Sequence, residues 1–582
     1  MQASILQWVN QQRKPSTAAH HAAKNKKDMA DEAPSKRMKW SEEFDGFSTD
    51  GEAGCSQDSI FCSQDSAPDD SDRVDLSNDS YDVCYMVDAD TFPASESRLE
   101  ARKMIKDSVH GCIYLEPICM AIIDTTHFQR LRHLKQLGAT YFVYMGATHS
   151  RFEHSVGVAF LAESMLMQLR HHQPWLGIDD KDILCVKIAG LCHDLGNVPL
   201  LYMEINSTLD LHSILGHGPF SHVYDGIFMQ QLQERGHDIA AMRGWTHEQG
   251  SLDVLDSLLQ AHQIDLVAFG LHAIDYEFIR ELILGRPLGR GAVFRGRPSK
   301  PFLYEVVNNS KTGLDVDKLD YFMRDAQYTG AKAGCDTHLL LSSARVLPDA
   351  TTGQLTICWP EKMAEQIMKV FRTRYELHQA VYQHKATRAI EYMICDILLE
   401  ADADFKIRGV RISQAPLHME AYMCLDDRIL ALIESNENPA LENSQSILKR
   451  IATKPLYKWA GTTQATAHST ALSEKQIKEE IVRCSNDALD LRQLIVEKNR
   501  VHFGQKDRDP LQTVRFFKKH ATPSATCFQL HEVAYAMHCP RHFMESNVRL
   551  FVRDPEHLHV ARVAFAKWST ECNGSSMYPQ EE

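Results

Sequence analysis

The chain has 582 residues, 44% apolar and 24% charged, with a formal net charge of −14. That length supports a large core and more than one domain, and the acidic balance excludes a molecule built throughout as an electrostatic nucleic-acid binder. Fifteen cysteines without CxxC pairs read as reduced thiols of a cytosolic or nuclear protein, not as a disulfide scaffold. No apolar run approaches membrane-spanning length, and the N-terminus lacks the basic flank and apolar stretch of a secretory signal.

Residues 1–98 are rich in Ser, Asp, Glu, Lys and Ala and poor in apolar periodicity, the composition of a disordered tail. Two basic clusters there, Lys24, Lys26, Lys27 and Lys36, Arg37, Lys39, have the separation of a bipartite nuclear-import signal. They place the protein in the nucleus, with the cytoplasm as a further compartment; a solvated charged tail is the plain alternative. Gln2 to Trp8 has part of the spacing of a sliding-clamp-binding peptide but lacks its second aromatic, since Val9 stands there, and is read as a chance match. The body follows: a core over 99–400, an α+β oligomerisation or regulatory region over 401–570, and a tail over 571–582. Apolar residues at three- and four-residue steps (Ile122, Ile123, Phe128, Leu131, Leu134, Leu137) predict a helix over 118–138. Further helices are predicted over 154–170, 182–195, 247–262, 275–284, 315–328 and 361–400. Strand-like runs are few: 354–358, 405–412, 513–518 and 525–530. The expected fold is mainly α, with a helical core and a smaller α+β C-terminal region.

Three distant fragments carry the chemistry. His154 lies in Arg151-Phe152-Glu153-His154, His193 and Asp194 are adjacent, and Asp317 lies in Asp315-Val316-Asp317-Lys318. Imidazole and carboxylate together hold a divalent cation, and such a site leaves positions open for water and phosphate. An isolated His-Asp dipeptide is uninformative (His237-Asp238 is another), so the weight rests on order and flanks. Arg151, one helical turn before His154, shares its face and has the geometry to clamp a phosphate bidentately. Lys318 offers a second cation, and Tyr321 and Asp325 follow it at i+3 and i+7. His217, His222, Asp225, His247 and Glu248 supply acid and base candidates. Arg374 and Tyr382-Gln383-His384-Lys385 lie on a later helical pattern that can contact a nucleotide from another side.

This ligand order is that of the HD phosphohydrolases. From about Lys103 to Val346 the chain resembles, more specifically, the vertebrate deoxynucleoside triphosphate triphosphohydrolases that carry a SAM domain and an HD domain. The resemblance continues more weakly to about Lys567. It rests on Phe128-Gln129-Arg130-Leu131-Arg132, Lys135-Gln136-Leu137-Gly138, Arg151 to Ser155, Ala189 to Gly196, His217 to His222, Trp245 to Gly250 and Asp315 to Lys318. It implies metal-dependent release of inorganic triphosphate from dNTPs, control of dNTP pools and restriction of viral replication. By the same resemblance His154, His193, Asp194 and Asp317 hold the metal (Zn, Fe, Mn or Mg), while His217, His222, Asp225, His247 and Glu248 line the catalytic centre. Arg151, Lys318 and Arg374 bind the triphosphate. Gln136 and Leu137 face the sugar and exclude a 2′-hydroxyl, and Tyr321, Asp325 and Tyr382 complete that pocket. The family is a nucleotide-activated homotetramer. Its guanine-specific activator site, which takes GTP or dGTP, matches at Lys103, Asp124, Gln129 and Arg132, with Lys454 in place of an Arg. The second, dNTP-binding activator site matches at Val143, Tyr144, His384, Lys385 and Lys519. It is eroded by Lys106, Leu339, Pro360 and Ala380, the last three standing where basic residues are expected.

Two departures matter more. The tail occupies the place of the SAM domain, so functions tied to that module do not carry over. Residues 197–216 split the family motif His-Asp-Leu-Gly-His-Gly-Pro-Phe-Ser-His between Gly196 and His217, beside two metal ligands. Leu215-Gly216 repeats Leu195-Gly196, so removal of the insert restores the motif. Three readings stay open: an active dNTP triphosphohydrolase; a catalytically impaired isoform that binds nucleotide or single-stranded nucleic acid; and a phosphodiesterase acting on a mononucleotide or cyclic nucleotide, against which Gln136-Leu137 and Lys318 to Asp325 argue.

Overall fold

The computed structural model describes residues 102–195, 223–235, 247–288, 293–519 and 525–578. The tail with its import signal, the insert, His217 and His222 lie outside the described residues, as do the side chains of Asp225, His247 and Glu248.

The body opens with an antiparallel hairpin, Lys103–Asp107 on Gly111–Leu115, that apolar periodicity did not predict. Gly111, at φ +74°, takes the left-handed conformation that closes its turn. The predicted helix over 118–138 does not form as one piece. Helix Pro117–Ile123 stops, and Thr125 turns extended and caps a new single turn, Thr126–Gln129, by accepting from the Phe128 amide. Tight turns Arg130–His133 and Gly138–Phe142 follow. Ile122, Ile123, Phe128, Leu131 and Leu134 are all buried, so the apolar spacing reported burial correctly and continuity wrongly.

Two long helices form the centre. Arg151–His172 starts three residues earlier than the predicted 154–170 helix and buries residues on nearly every side, as a helix does inside a core. Asp180–Cys192 begins with a capping box, Asp179 accepting from the Asp182 amide. The two pack closely at Gly190, where a Cβ would lie 3.3 Å from the Ala159 backbone. Helix Ala273–Leu284 packs on the second of them and Val316–Thr329 on the first. The predicted 361–400 helix is two, Ala364–Leu377 and Lys385–Ala401, divided by a wide turn at His378–Tyr382. His384 leaves helical geometry there (φ −59°, ψ 132°) and caps the second helix through the Ala386 amide.

Three-stranded sheets complete the body. Arg345–Pro348 pairs antiparallel with Leu355–Pro360, which pairs parallel with Arg515–Phe517. The predicted 525–530 strand contributes only isolated bridges, Phe516 to Phe528 and Asp349 to Cys527. The 405–412 run is a hairpin of two-residue strands around Arg408 and Gly409, both at positive φ. A sheet that sequence reading missed orders Lys458–Gln464, Met544–Val552 and Leu494–His502, all antiparallel. Strand Leu494–His502 is largely covered on both faces, with Glu497 and Asn499 buried, so its polar residues do not mark an exposed face. Helices Glu474–Cys484 and Leu558–Glu571 cover one face around Ile477, Val496, Val548, Phe565 and Trp568. The main apolar core runs from Ile113 to Phe551 and continues across the residue 400/401 division. No helix among the described residues is long and apolar enough to cross a membrane.

Candidate metal and phosphate site

His154 lies in the first turn of helix Arg151–His172, His193 and Asp194 immediately follow helix Asp180–Cys192, and Asp317 lies in the first turn of helix Val316–Thr329. Helix packing brings one ligand atom each of His154, His193 and Asp317 within 4.8 Å of one another. Asp317 Oδ1 stands 3.1 Å from His154 Nε2 and 3.4 Å from His193 Nε2. Asp194 closes the group, its carboxylate oxygens 3.7 Å from His154 Nε2 and 3.5 Å from His193 Nε2.

The other ring nitrogens are committed elsewhere. His154 Nδ1 donates to Asp320 Oδ2 at 2.7 Å, and His193 Nδ1 donates to the Gly190 carbonyl at 2.7 Å. Both imidazoles are therefore set in the tautomer that presents Nε2 as a lone-pair donor, the usual way a protein orients a metal-binding histidine. Two oriented imidazoles and two carboxylates fit a divalent cation.

The electrostatics agree. Burial would push His154 down, but its hydrogen bonds to Asp317 and Asp320, with the charges of Asp320 and Asp194, carry it up to about 10. His193 is likewise raised against burial by the charges of Asp194 and Asp317. Asp317, which burial alone would raise, is held well below the usual carboxylate range by its bonds to both histidines. The centre favours positive charge, and a cation takes the place of those protons.

Cations and hydroxyls surround this group. Arg151 is fully buried and donates to Asp194 Oδ2 at 2.6 Å, so it braces a carboxylate of the centre. Lys318 Nζ is held by Asp315 at 2.8 Å and is kept cationic by Asp315 and Asp317 against its burial. Tyr321 faces the His154 ring at 6.4 Å between centroids. Tyr382 donates to Asp325 Oδ2 at 2.6 Å, and His149 Nε2 donates to Asp325 Oδ1 at 2.8 Å. Burial lowers Arg374, whose charge is felt by Tyr321 and Tyr382, and whose Nη1 donates to the His502 carbonyl. Gln136 is buried beside His149, its backbone N–H donating to the His149 carbonyl, and Leu137 is half-buried next to it. Asp225 lies in the wide turn Val223–Phe228, and His247 and Glu248 open helix His247–Ala261.

The activator-site candidates fall on other elements. Lys103 and Lys106 are exposed on the first strand, and Asp124 is exposed after the first helix. Gln129 accepts from Arg132, whose guanidinium lies 3.5 Å from the Phe152 ring centroid. Lys454 ends helix Glu442–Thr453 at φ +58°. Val143 is half-buried, Tyr144 donates to the Ala380 carbonyl, Lys385 Nζ sits over the Trp459 ring, and Lys519 is exposed.

Sequence reading missed Asp320, Asp315, His149 and Ser251, whose hydroxyl donates to the His193 carbonyl at 2.6 Å. Two of them left a signal: Asp320 stands at i+3 from Asp317, on the same helix face, and Asp315 lies in the same four-residue fragment as Asp317.

The HD domain family model matches residues 151–277. Deoxynucleoside triphosphate triphosphohydrolase SAMHD1 of Homo sapiens is 36% identical over 498 residues, covering 82% of this chain and 74% of that protein. Its Mus musculus counterpart is 34% identical over 504 residues, covering 81% and 72%. The SAMHD1 homolog of Dictyostelium discoideum is 32% identical over 472 residues, covering 81% of each.

Proposed function

We propose, from the premise that this chain belongs to the SAMHD1 family of deoxynucleoside triphosphate triphosphohydrolases, that its HD centre hydrolyses dNTPs to deoxynucleoside and inorganic triphosphate. The observation that carries the reading is the convergence of His154, His193 and Asp317 on one point, with both imidazoles oriented and Lys318 beside them. A divalent cation, when bound, supplies Lewis acidity and lowers the pKa of water at the site. The chain's own residues do the rest. Arg151 and Lys318 take triphosphate oxygens, Arg151 bidentately and Lys318 as a point charge that leaves Asp315 for the substrate. Arg374 joins them from the helix Ala364–Leu377. Tyr382, Asp325 and Tyr321 hold the sugar. Gln136 and Leu137 pack against its 2′ position, where a ribose hydroxyl would be buried without a partner. His217, His222, Asp225, His247 and Glu248 supply the proton for the departing sugar oxygen.

Activation by GTP or dGTP at Lys103, Asp124, Gln129, Arg132 and Lys454 belongs to the same proposal, as do a homotetramer and work on nuclear dNTP pools, with restriction of viral replication as its consequence. The dNTP activator site at Val143, Tyr144, His384, Lys385 and Lys519 is proposed to be weaker, because three expected cations are Leu339, Pro360 and Ala380. A second reading has a specific motive. The 197–216 insert enters three residues after His193, and a shift of about 1 Å in a catalytic group costs on the order of 10²-fold in rate. On that reading the chain binds nucleotide or single-stranded nucleic acid without turning dNTPs over. Triphosphate release from dGTP, and from dATP with GTP, separates the two when the full chain is compared with a version lacking 197–216. Release by both supports the enzyme; release only by the shortened chain supports the impaired isoform; silence from both overturns the triphosphohydrolase assignment.

A further inference from the structure

Asp320 is wholly buried yet ionised, and each of its oxygens accepts twice. Oδ2 takes His154 Nδ1 at 2.7 Å and Arg324 Nε at 2.9 Å. Oδ1 takes His110 Nε2 at 2.6 Å and Arg324 Nη2 at 3.0 Å. Arg324, also fully buried, reaches on to Asp107, Nη1 to Oδ2 at 2.9 Å and Nη2 to Oδ1 at 3.3 Å. Asp107 Oδ1 in turn accepts the amides of Val109 and His110, at 2.9 and 2.8 Å, and so shapes the hairpin turn that delivers His110 to Asp320. The network closes on itself and ends at a ligand of the proposed metal.

The long central helix makes room for it. Gly157 lies three residues after His154, and a Cβ there would overlap Asp320 Oδ1 and Arg324 Nη2. The absence of a side chain at this position lets the Asp320–Arg324 pair seat directly against the helix that carries His154. Two buried charges so matched tolerate little displacement, because separating either leaves an uncompensated charge in the core.

We propose that Asp320 is the positioning residue of His154, and that the N-terminal hairpin sets metal affinity through Asp107, Arg324 and His110. The inference rests on the metal reading above. It makes strand Lys103–Asp107 a mechanical part of the metal centre, although none of its residues touches the ligands. That strand also carries Lys103, a candidate activator contact, so a nucleotide that pulls on the strand acts on the orientation of a metal ligand.

The test measures Co²⁺ binding by the full chain in competition with a chromophoric chelator, and records the visible absorption of the bound ion, which reports ligand geometry. Far-UV circular dichroism of the metal-free protein shows which variants fold. Asp320→Asn is expected to weaken Co²⁺ binding about 10- to 100-fold and to shift the absorption band, as loss of the partner of a ligating histidine does. Asp107→Asn, which touches no ligand, is expected to weaken it roughly 3- to 10-fold. Where either variant fails to fold, His110→Ala carries the test, since it leaves both ion pairs of Arg324 in place. Wild-type affinity and an unshifted band in any folded variant of the three overturn the proposal. Absence of Co²⁺ binding by the unmodified chain overturns the metal reading itself, so the two failures are distinguishable.

Discussion

At the scale of single residues, the site depends on which atom of each side chain is already engaged. Asp317 offers an oxygen to two imidazoles at once, and replacing it with Asn removes the charge that draws a cation there. Asp317→Asn is expected to lose triphosphate release by at least about 100-fold, with unchanged circular dichroism, because a metal ligand and a transition-state charge go together. Lys318 is different in kind. Its ammonium is held by Asp315 and is proposed to serve binding through charge, so Lys318→Ala is expected to raise KM for dGTP roughly 10- to 100-fold, with a smaller change in kcat, the worth of one charge-assisted hydrogen bond. Steady-state kinetics on the same preparation separates the two patterns. A fall in kcat alone for Lys318→Ala would assign it to the chemistry instead of to binding.

At the scale of elements, caps and buried charges decide where helices begin and how they respond to pH. Asp179 starts the helix that delivers His193 and Asp194, and Asp179→Ala is expected to cost about 1 kcal/mol in urea unfolding while leaving turnover per folded molecule unchanged. Helix Lys385–Ala401 carries a buried cluster in which Arg388 donates to Glu391 at 2.5 Å and to Glu497 at 2.7 Å. Burial, with the charge of Glu497, outweighs the opposing pull of Arg388 and leaves the Glu391 carboxyl pushed up to about 7. The folded protein therefore holds this proton at a pH where the unfolded chain, with an ordinary carboxyl near 4.5, has released it. Stability from this group is full below about 4.5 and is lost as pH rises towards 7. Unfolding midpoints of Glu391→Gln and the unmodified protein are expected to diverge between pH 5 and 7.5 in favour of the variant, by on the order of 1–3 kcal/mol. Parallel curves over that range would remove Glu391 from the pH response.

At the scale of the whole molecule, the proposed activator residues stand on the first strand, on the turns after the first helix and at the end of helix Glu442–Thr453. Those elements are separate in sequence, and a nucleotide joining them between copies would be concentration-linked to assembly. Sedimentation of the full chain is expected to shift from smaller species to a tetramer on addition of GTP with dATP. Half-maximal assembly should need a higher concentration of dATP than of GTP, given Leu339, Pro360 and Ala380. A sedimentation profile indifferent to GTP would detach assembly from the guanine site.

The sequence by itself pointed to the chemistry: His154, His193-Asp194 and Asp317, in that order, are imidazoles and carboxylates of the kind that hold a divalent cation, because ligand chemistry belongs to the side chain. It also determined part of the helical core, since apolar spacing marks the 315–328 segment, whereas helix Arg151–His172 is buried on nearly every side and carries no apolar stripe. It did not determine where Thr125 and His384 break the 118–138 and 361–400 patterns, because backbone departures of one residue leave apolar periodicity intact. Strand Leu494–His502 was illegible for another reason: with both faces largely covered, its Glu497 and Asn499 lie inside and its polar residues do not mark an exposed face. Only the tertiary structure decided which histidine nitrogen faces Asp317. That choice is made by Asp320 and by the Gly190 carbonyl, partners whose nearness follows from how the helices pack.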